Sequence, residues 1–193
     1  NNTISRSEFS SSIYLQDSNS NIVSGNNISY SYGSYGIDLW GSCGNIVSDN
    51  YILNTFKGIG TWTHGINLRE SLDNWFYNNT IVDNEYGIYI WRSIGNTFFH
   101  NNIYNCTSYD AYSSDSVTKW ELNGLEGNYW SNYTGVDNDK DGIGDAPYHI
   151  CYDAGTGEEN YDMRPLMEPW NTTRIHSDPK WYGWGNWTIT VTT

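Results

Sequence analysis

Seven residue columns recur in register through the first hundred residues, and they fix what this chain can fold into. Aligned on the residue that opens each apolar-x-apolar stretch, Ile13, Ile37, Ile66 and Ile88 form one column. Leu15, Leu39, Leu68 and Ile90 follow two residues later, and Ser18, Ser42, Ser71 and Ser93 follow at plus five. Asn21, Asn45, Asn74 and Asn96 stand at plus eight, then Val23, Val47, Phe76 and Phe98 at plus ten. Asn26, Asn50, Asn79 and Asn101 come at plus thirteen, and Ile28, Ile52, Ile81 and Ile103 close the unit at plus fifteen. The units start 24, 29 and 22 residues apart, so only the connections vary; the longest holds an insertion around Phe56–His64.

Such a ladder is the signature of a solenoid. Apolar residues two apart share one face of a strand, and coils stacked about 4.8 Å apart set like residue upon like. Ile and Leu then build continuous interior stacks. Asn upon Asn builds side-chain amide ladders, and Asn also tolerates the left-handed backbone of tight corners. An apolar period of two, with Gly36, Gly65 and Gly87 recurring, excludes helices. The prediction is all-β: a right-handed parallel β-helix of about five coils. The fifth coil is degraded, with Ala111 and Ser116 in column and Lys119 where the next Asn belongs. The chain divides into the β-helix (1–122), a C-terminal cap with an acidic cation-binding loop (123–168), and a Trp/Thr-rich tail or exchanged strand (169–193). The tail carries Trp181, Trp184 and Trp187 before the alternating run Thr188-Ile189-Thr190-Val191-Thr192.

Charge narrows the partners. Nine Lys and Arg against 22 Asp and Glu give a net charge of −13, which excludes nucleic acid because nothing here neutralises a phosphate backbone. No run of 18 apolar residues exists, so no membrane span is expected. Ten Trp and 17 Tyr exceed what one core of this size holds, so exposed aromatic surface is expected. The opening Asn1-Asn2-Thr3-Ile4 is already repeat-like and no signal peptide precedes it, which reads as a processed product. Sequons at Asn1, Asn27, Asn78, Asn105, Asn132, Asn171 and Asn186 are glycosylation candidates of an extracellular or cell-surface protein. Cys43, Cys106 and Cys151 are the disulfide candidates; their odd number leaves one thiol free or bonded to another chain.

The strongest site motif is Asp137-Asn138-Asp139-Lys140-Asp141-Gly142-Ile143-Gly144-Asp145. Acidic residues at positions 1, 3, 5 and 9, Gly at 6 and a carbonyl from Ile143 at 7 match the first part of a calcium loop. Position 12 is Tyr148 rather than Glu, so a further ligand is expected from Asp153, Glu158, Glu159 or Asp162. Asp137, Asp139, Asp141, Ile143 and Asp145 are thus the candidate ligands of a structural calcium.

The repeats, with Gly127-Asn128-Tyr129-Trp130-Ser131-Asn132-Tyr133, the acidic loop through Tyr148 and Tyr161-Asp162-Met163-Arg164-Pro165-Leu166-Met167, resemble NosD-like archaeal surface proteins of the carbohydrate-binding and sugar-hydrolase β-helix superfamily. The resemblance covers residues 1–168 and implies a secreted or envelope location. NosD itself is linked to copper-site assembly, a role that a shared fold does not transfer.

Three functions follow as expectations. The first is a structural surface protein that self-assembles into a layer, tube or filament through its open upstream coil edge and its tail. The second is a carbohydrate-binding or polysaccharide-cleaving module, with Trp40, Trp62, Trp75 and Trp91 stacking on sugars. Arg69, Glu70, Asp73 and Arg92 would then serve cleavage, although a salt-bridged surface is the favoured account of them. No acidic ladder forms, because the outward column reads Asp38, Asn67, Tyr89. No catalytic residue is assigned. The third is copper delivery through His149, Met163 and Met167. His64, His100 and His176 show no metal-pair spacing.

Overall fold

The computed structural model describes residues 2–5, 11–29, 35–53, 63–153 and 155–171. Among these no helix forms. A short strand β1 (Thr3–Ser5) precedes four regular coils. The first is β2 (Ile13–Gln16), β3 (Ile22–Ser24) and β4 (Asn27–Ser29); the second is β5 (Ile37–Trp40), β6 (Ile46–Ser48) and β7 (Tyr51–Leu53). The third is β8 (His64–Arg69), β9 (Trp75–Tyr77) and β10 (Thr80–Val82); the fourth is β11 (Tyr86–Trp91), β12 (Ile94–Phe99) and β13 (Asn102–Tyr104). An irregular fifth contains β14 (Tyr109–Ser114), β15 (Val117–Lys119) and β16 (Tyr129–Trp130), and a hairpin β17 (Tyr148–Asp153) and β18 (Glu158–Asp162) follows.

Every third strand joins the same parallel sheet. The three sheets run β1-β4-β7-β10-β13-β16, β2-β5-β8-β11-β14 and β3-β6-β9-β12-β15, which makes the fold a parallel β-helix. The registers are those of the sequence columns: Ile37 pairs with Ile13 and Ile66, Val47 with Val23 and Phe76, and Ile52 with Ile28 and Ile81. Apart from the half-buried Ile13 on the first coil, these interior side chains are almost wholly buried. In the last coils the stack turns aromatic: Phe76, Phe98 and Trp120 stack in succession, and Trp130 pairs with Ile103.

The polar columns act as ladders. Each Ser at plus five accepts the backbone N–H of the Ser one coil earlier, from Ser18 through Ser116, at 3.0–3.1 Å. At plus eight, Asn45 Oδ1 accepts both the backbone N–H (2.8 Å) and the Nδ2–H (3.1 Å) of Asn21, and Asn74 and Asn96 repeat the pattern. The plus-thirteen ladder runs Asn26, Asn50, Asn79, Asn101 and on to Asn128. Asn128 meets Asp162 instead of a further Asn, and Asp162 Oδ2 accepts its backbone N–H at 2.7 Å and its Nδ2–H at 3.3 Å. Asp162 also accepts from the Trp130 indole at 2.9 Å and is fully buried. A carboxylate accepts without donating, so it ends an amide ladder where another Asn would continue it.

Two expectations are corrected. The ladder asparagines are not the left-handed corners; the residue before each one is. Ser20, Gly44, Asp73 and Gly95 precede the plus-eight rungs, and Gly25, Asp49, Asn78 and His100 precede the plus-thirteen rungs, all at positive φ. The amide needs an inward aim, and the preceding residue supplies the turn. Lys119 also does not replace an Asn rung. A register shift sets Thr118 opposite Asn96 and Lys119 opposite Thr97.

The glycine column marks a close approach between coils. A Cβ on Gly65 would stand 2.8 Å from the Gly87 carbonyl oxygen, and one on Gly87 would stand 2.3 Å from that of Asp110. Downstream, the hairpin closes the solenoid against β14. Ser113 N–H donates to Cys151 Sγ (3.2 Å), and Leu166 N–H donates to the Asn128 carbonyl (2.9 Å).

Replacing Asn74 by Ala strands the buried N–H of Asn45 and removes the lower half of two rungs. Each stranded buried donor costs about 1–3 kcal/mol, so Asn74→Ala is expected to lose roughly 3 kcal/mol or more. Asn21→Ala, at the exposed end of the same ladder, is expected to lose about 1 kcal/mol. Equilibrium denaturation of both variants measures the contrast.

Candidate functional site

Because a strand alternates faces, fixing the core columns projects the residues one and three places after them outward. On the β2-β5-β8-β11-β14 sheet a third column, two residues before the core residue, reaches the same groove although alternation alone would turn it inward. Tyr35, His64, Tyr86 and Tyr109 stand two residues before the core Ile or Ala. Asp38, Asn67, Tyr89 and Tyr112 stand one residue after it, and Trp40, Arg69, Trp91 and Ser114 stand three after. Of these, all but Asp38, Trp40 and Ser114 line a groove of about 490 Å3 that runs across the coils from Tyr35 to Tyr109 and Tyr112.

The rings stack along the solenoid. His64 lies between Tyr35 (4.7 Å, 6°) and Tyr89 (4.5 Å, 5°), and Tyr89 continues to Tyr112 at 5.4 Å. Burial raises the hydroxyl pKa of Tyr35, Tyr86 and Tyr89, keeping them protonated.

Beneath the rings runs a buried polar chain. Asn67 Nδ2–H donates to Asp38 Oδ1 (2.6 Å), and Arg69 Nη2 meets Asp38 Oδ2 at 3.2 Å. Since the Asn67 amide nitrogen faces a carboxylate, its oxygen faces His64 Nδ1 at 2.9 Å. That nitrogen must therefore carry the proton, which leaves Nε2 as a bare acceptor. His64 is 3% exposed, and its Nε2 has no hydrogen-bond partner among the described residues; neither has Arg69 Nε. Burial pushes the His64 pKa from 6.5 down to about 4, so the ring is neutral at physiological pH. Burial raises Asp38, opposed by Asn67 and Arg69.

The remaining predicted positions fall elsewhere. Glu70 and Arg92 approach at 4.0 Å on the surface and Arg69 turns to Asp38, so this cluster is a salt-bridged face. Arg69 lies over the Trp40 ring at 4.8 Å and Arg92 over Trp91 at 4.3 Å, covering one face of each. Trp75 belongs to another sheet, packed edge-on against Phe99, and Trp62 lies outside the described residues. All three cysteines are free thiols, contrary to the expected internal disulfide. Cys43 sits in the turn between β5 and β6, Cys106 packs under Gly87 from the turn between β13 and β14, and Cys151 is spent on Ser113. Burial pushes the Cys106 thiol far up, with Asp110 adding to the effect, so it stays protonated. Among the sequons, Asn27, Asn105, Asn132 and Asn171 are exposed and Asn78 is half-buried, while Asn1 and Asn186 lie outside the described residues, as does the predicted 188–192 strand. Asn132 and Asn78 donate to Asp110 (3.0 Å) and Asp49 (3.2 Å).

In the acidic loop, carboxylate oxygens of Asp137, Asp139 and Asp145 lie within 4.8 Å of one another. Asp141 is turned aside: one oxygen accepts the Ile143 N–H (2.8 Å) and the other faces Arg164 at 3.5 Å. The loop folds around Tyr133, whose hydroxyl donates to the Ala146 carbonyl (2.6 Å). Asp162 caps the Asn ladder and Glu159 holds His149 at 2.5 Å, so neither completes this set.

Fold and site together define a parallel β-helix with an outward tyrosine groove and a capped downstream end. The chain belongs to the family described as periplasmic copper-binding protein (NosD), whose sequence pattern matches residues 1–135. No curated protein matches the chain. No helix among the described residues is long and apolar enough to cross a membrane.

Copper favours imidazole, thiolate and thioether donors. Here His64 is held by Asn67, His100 by Glu126 at 2.9 Å under the Trp170 ring, and His149 by Glu159. Among the described residues the one cluster of three His, Cys, Asp or Glu ligand atoms is the all-carboxylate loop. Those residues do not fit copper. His176 lies outside them.

His64 sets an acid limit on stability. Its folded pKa lies below its unfolded value, so between about pH 6.5 and 4 the unfolded chain binds a proton that the folded chain does not. Stability from this group falls as pH drops through that window, by roughly 3 kcal/mol. Asp162, raised by burial to about 6, acts in the opposite sense. Denaturation curves of the native chain and His64→Phe at pH 7 and 4.5 isolate the imidazole: the native chain is expected to lose more on acidification.

Proposed function

We propose that this is an envelope or extracellular β-helix protein that binds an oligosaccharide along its tyrosine groove. The observation that carries this reading is the groove itself. It crosses successive coils of one sheet and sets five tyrosines, Asn67 and Arg69 along one channel. Tyrosine offers broad contact area with a polar tip at small entropic cost, which suits hydroxyl-rich ligands. The binding mode differs from stacking on Trp40 and Trp91, because a guanidinium already covers one face of each. Binding rather than cleavage is favoured, since Asp38 is buried and committed to Arg69 and Asn67 instead of facing a glycosidic bond. Isothermal titration with an oligosaccharide panel tests the reading. Tyr89→Ala removes the ring between His64 and Tyr112 and is expected to weaken binding about tenfold or more. Unchanged affinity, or no binding by any saccharide, sinks it.

Two further roles accompany this reading. We propose that the Asp137, Asp139 and Asp145 carboxylates hold a structural calcium, with carbonyls and water supplying other ligands of a hard oxygen site. Self-assembly is the second reading of the whole protein. It is favoured by β2 and β3, which pair on one side only among the described residues, and by Ile22 at 71% exposure on that edge. With the downstream end capped, edge-to-edge contact gives a two-fold pair, and a layer or filament needs lateral contacts as well. Calorimetry with calcium and with a chelator tests the loop: melting is expected several degrees higher with calcium, and Asp139→Asn is expected to erase the difference. Light scattering on the same samples reads assembly. A monomer at all concentrations removes that reading.

A further inference from the structure

We infer that the groove selects a neutral sugar, with a sugar hydroxyl donating to His64 Nε2 and a neighbouring sugar oxygen accepting from Arg69 Nε–H. This rests on the carbohydrate reading above and narrows it to a ligand class.

The first support is the pair of unmatched atoms. Leaving a buried polar atom without a partner is costly, and ten side-chain atoms of the described residues make no hydrogen bond within the structure. Two of these occur in side chains that line the same groove: His64 Nε2 and Arg69 Nε. They are complementary in kind. The chain from Asp38 through Asn67 fixes the His64 tautomer, making Nε2 an acceptor, whereas Arg69 Nε–H can only donate. Water-like partners that both donate and accept satisfy the two, and adjacent sugar hydroxyls are such partners. An apolar ligand satisfies neither atom, and a carboxylate cannot donate to Nε2.

Charge supplies the second support. Among the described residues Arg69 is the one cation lining the groove, and Asp38 compensates it at 3.2 Å. Glu85, which accepts from Thr63 N–H (3.3 Å) and Oγ1–H (3.2 Å), adds negative charge beside His64. The whole chain carries −13. An anionic glycan thus meets no uncompensated cation and a repelling field, while a neutral one loses nothing. The tyrosine hydroxyls add donors without charge.

Titration of the native chain with neutral hexasaccharides (glucan, mannan, xylan and chitin types) and with oligogalacturonate and oligomannuronate of equal length tests this, followed by calorimetry and by 15N resonances of the His64 ring. The expected result is binding of a neutral oligosaccharide at least about tenfold tighter than either uronate. The spectra are expected to show an Nδ1–H tautomer in the free chain and a shifted Nε2 resonance on binding. Arg69→Lys, which keeps the cation but lacks Nε–H, is expected to weaken neutral binding about tenfold. Uronates binding equally or better overturn this inference and leave the carbohydrate reading standing. Neutral binding with an unmoved Nε2 resonance also overturns it, whether or not Arg69→Lys folds. Absence of binding by every saccharide overturns both.

Discussion

The interaction on which the rest depends is the hydrogen bond from one asparagine amide to the next, coil above coil. At each corner a backbone N–H turns inward, away from water, and would be stranded without an acceptor. The Asn Oδ1 of the following coil supplies it, while the same amide donates to its neighbour. Its Nδ2 also reaches a carbonyl of the preceding coil, as Asn74 does to Ser42 at 2.9 Å. One side chain thus satisfies the corner, fixes the coil spacing and locks the register. A primary amide donates through its nitrogen and accepts through its oxygen at that length without charge, and Gln, the other primary amide, is a methylene longer. Repetition is therefore obligatory in this interior, and termination needs its own device. Asp162 is that device. It reaches the last rung from the hairpin and pins the cap to the solenoid through Asn128 and Trp130.

Once the ladders carry the fold, the outward columns are released from it. A Tyr, His or Trp at those positions changes the groove and leaves the core stacks untouched. That freedom explains why one sheet face gathers Tyr35, His64, Tyr89 and Tyr112 in a continuous stack while the Ile and Leu columns beneath stay nearly uniform. It also explains the contrast between the two polar systems. The ladder amides are matched in both directions. The groove chain from Asp38 to His64 ends on a nitrogen that nothing in the described structure occupies.

Much of the fold was legible because strict repetition is itself the physical requirement. Ile37 above Ile13 and Asn45 above Asn21 could be paired from spacing alone, and so could the outward run Asp38, Asn67, Tyr89. The fifth Asn rung was not, because Asn128 follows Asn101 by 27 residues and a different loop intervenes. His64 was passed over as an isolated histidine, although Tyr35, Tyr86 and Tyr109 hold the same offset; an aromatic column at minus two was the available signal. Thiol separation was not legible, since Cys43, Cys106 and Cys151 occupy unlike corners that no spacing rule relates. Neither was the fate of Asp162, whose acidic neighbourhood suggests a metal ligand while its burial makes it a ladder cap.

The family's copper description and the chemistry of this chain diverge at the level of donors. A copper site needs imidazole or sulfur atoms converging on one point. Among the described residues this fold disperses them. His64 is committed to the groove, His100 to Glu126 beneath Trp170, and His149 to Glu159 on the hairpin. Each is held by a neighbour that belongs to a different part of the solenoid, so no small movement brings them together. The match to the family runs over the laddered coils, and the ladder places no demand on the outward residues. A common β-helix can therefore carry different outward chemistry from one member to another, and in this chain that surface chemistry is tyrosine, amide and one compensated guanidinium.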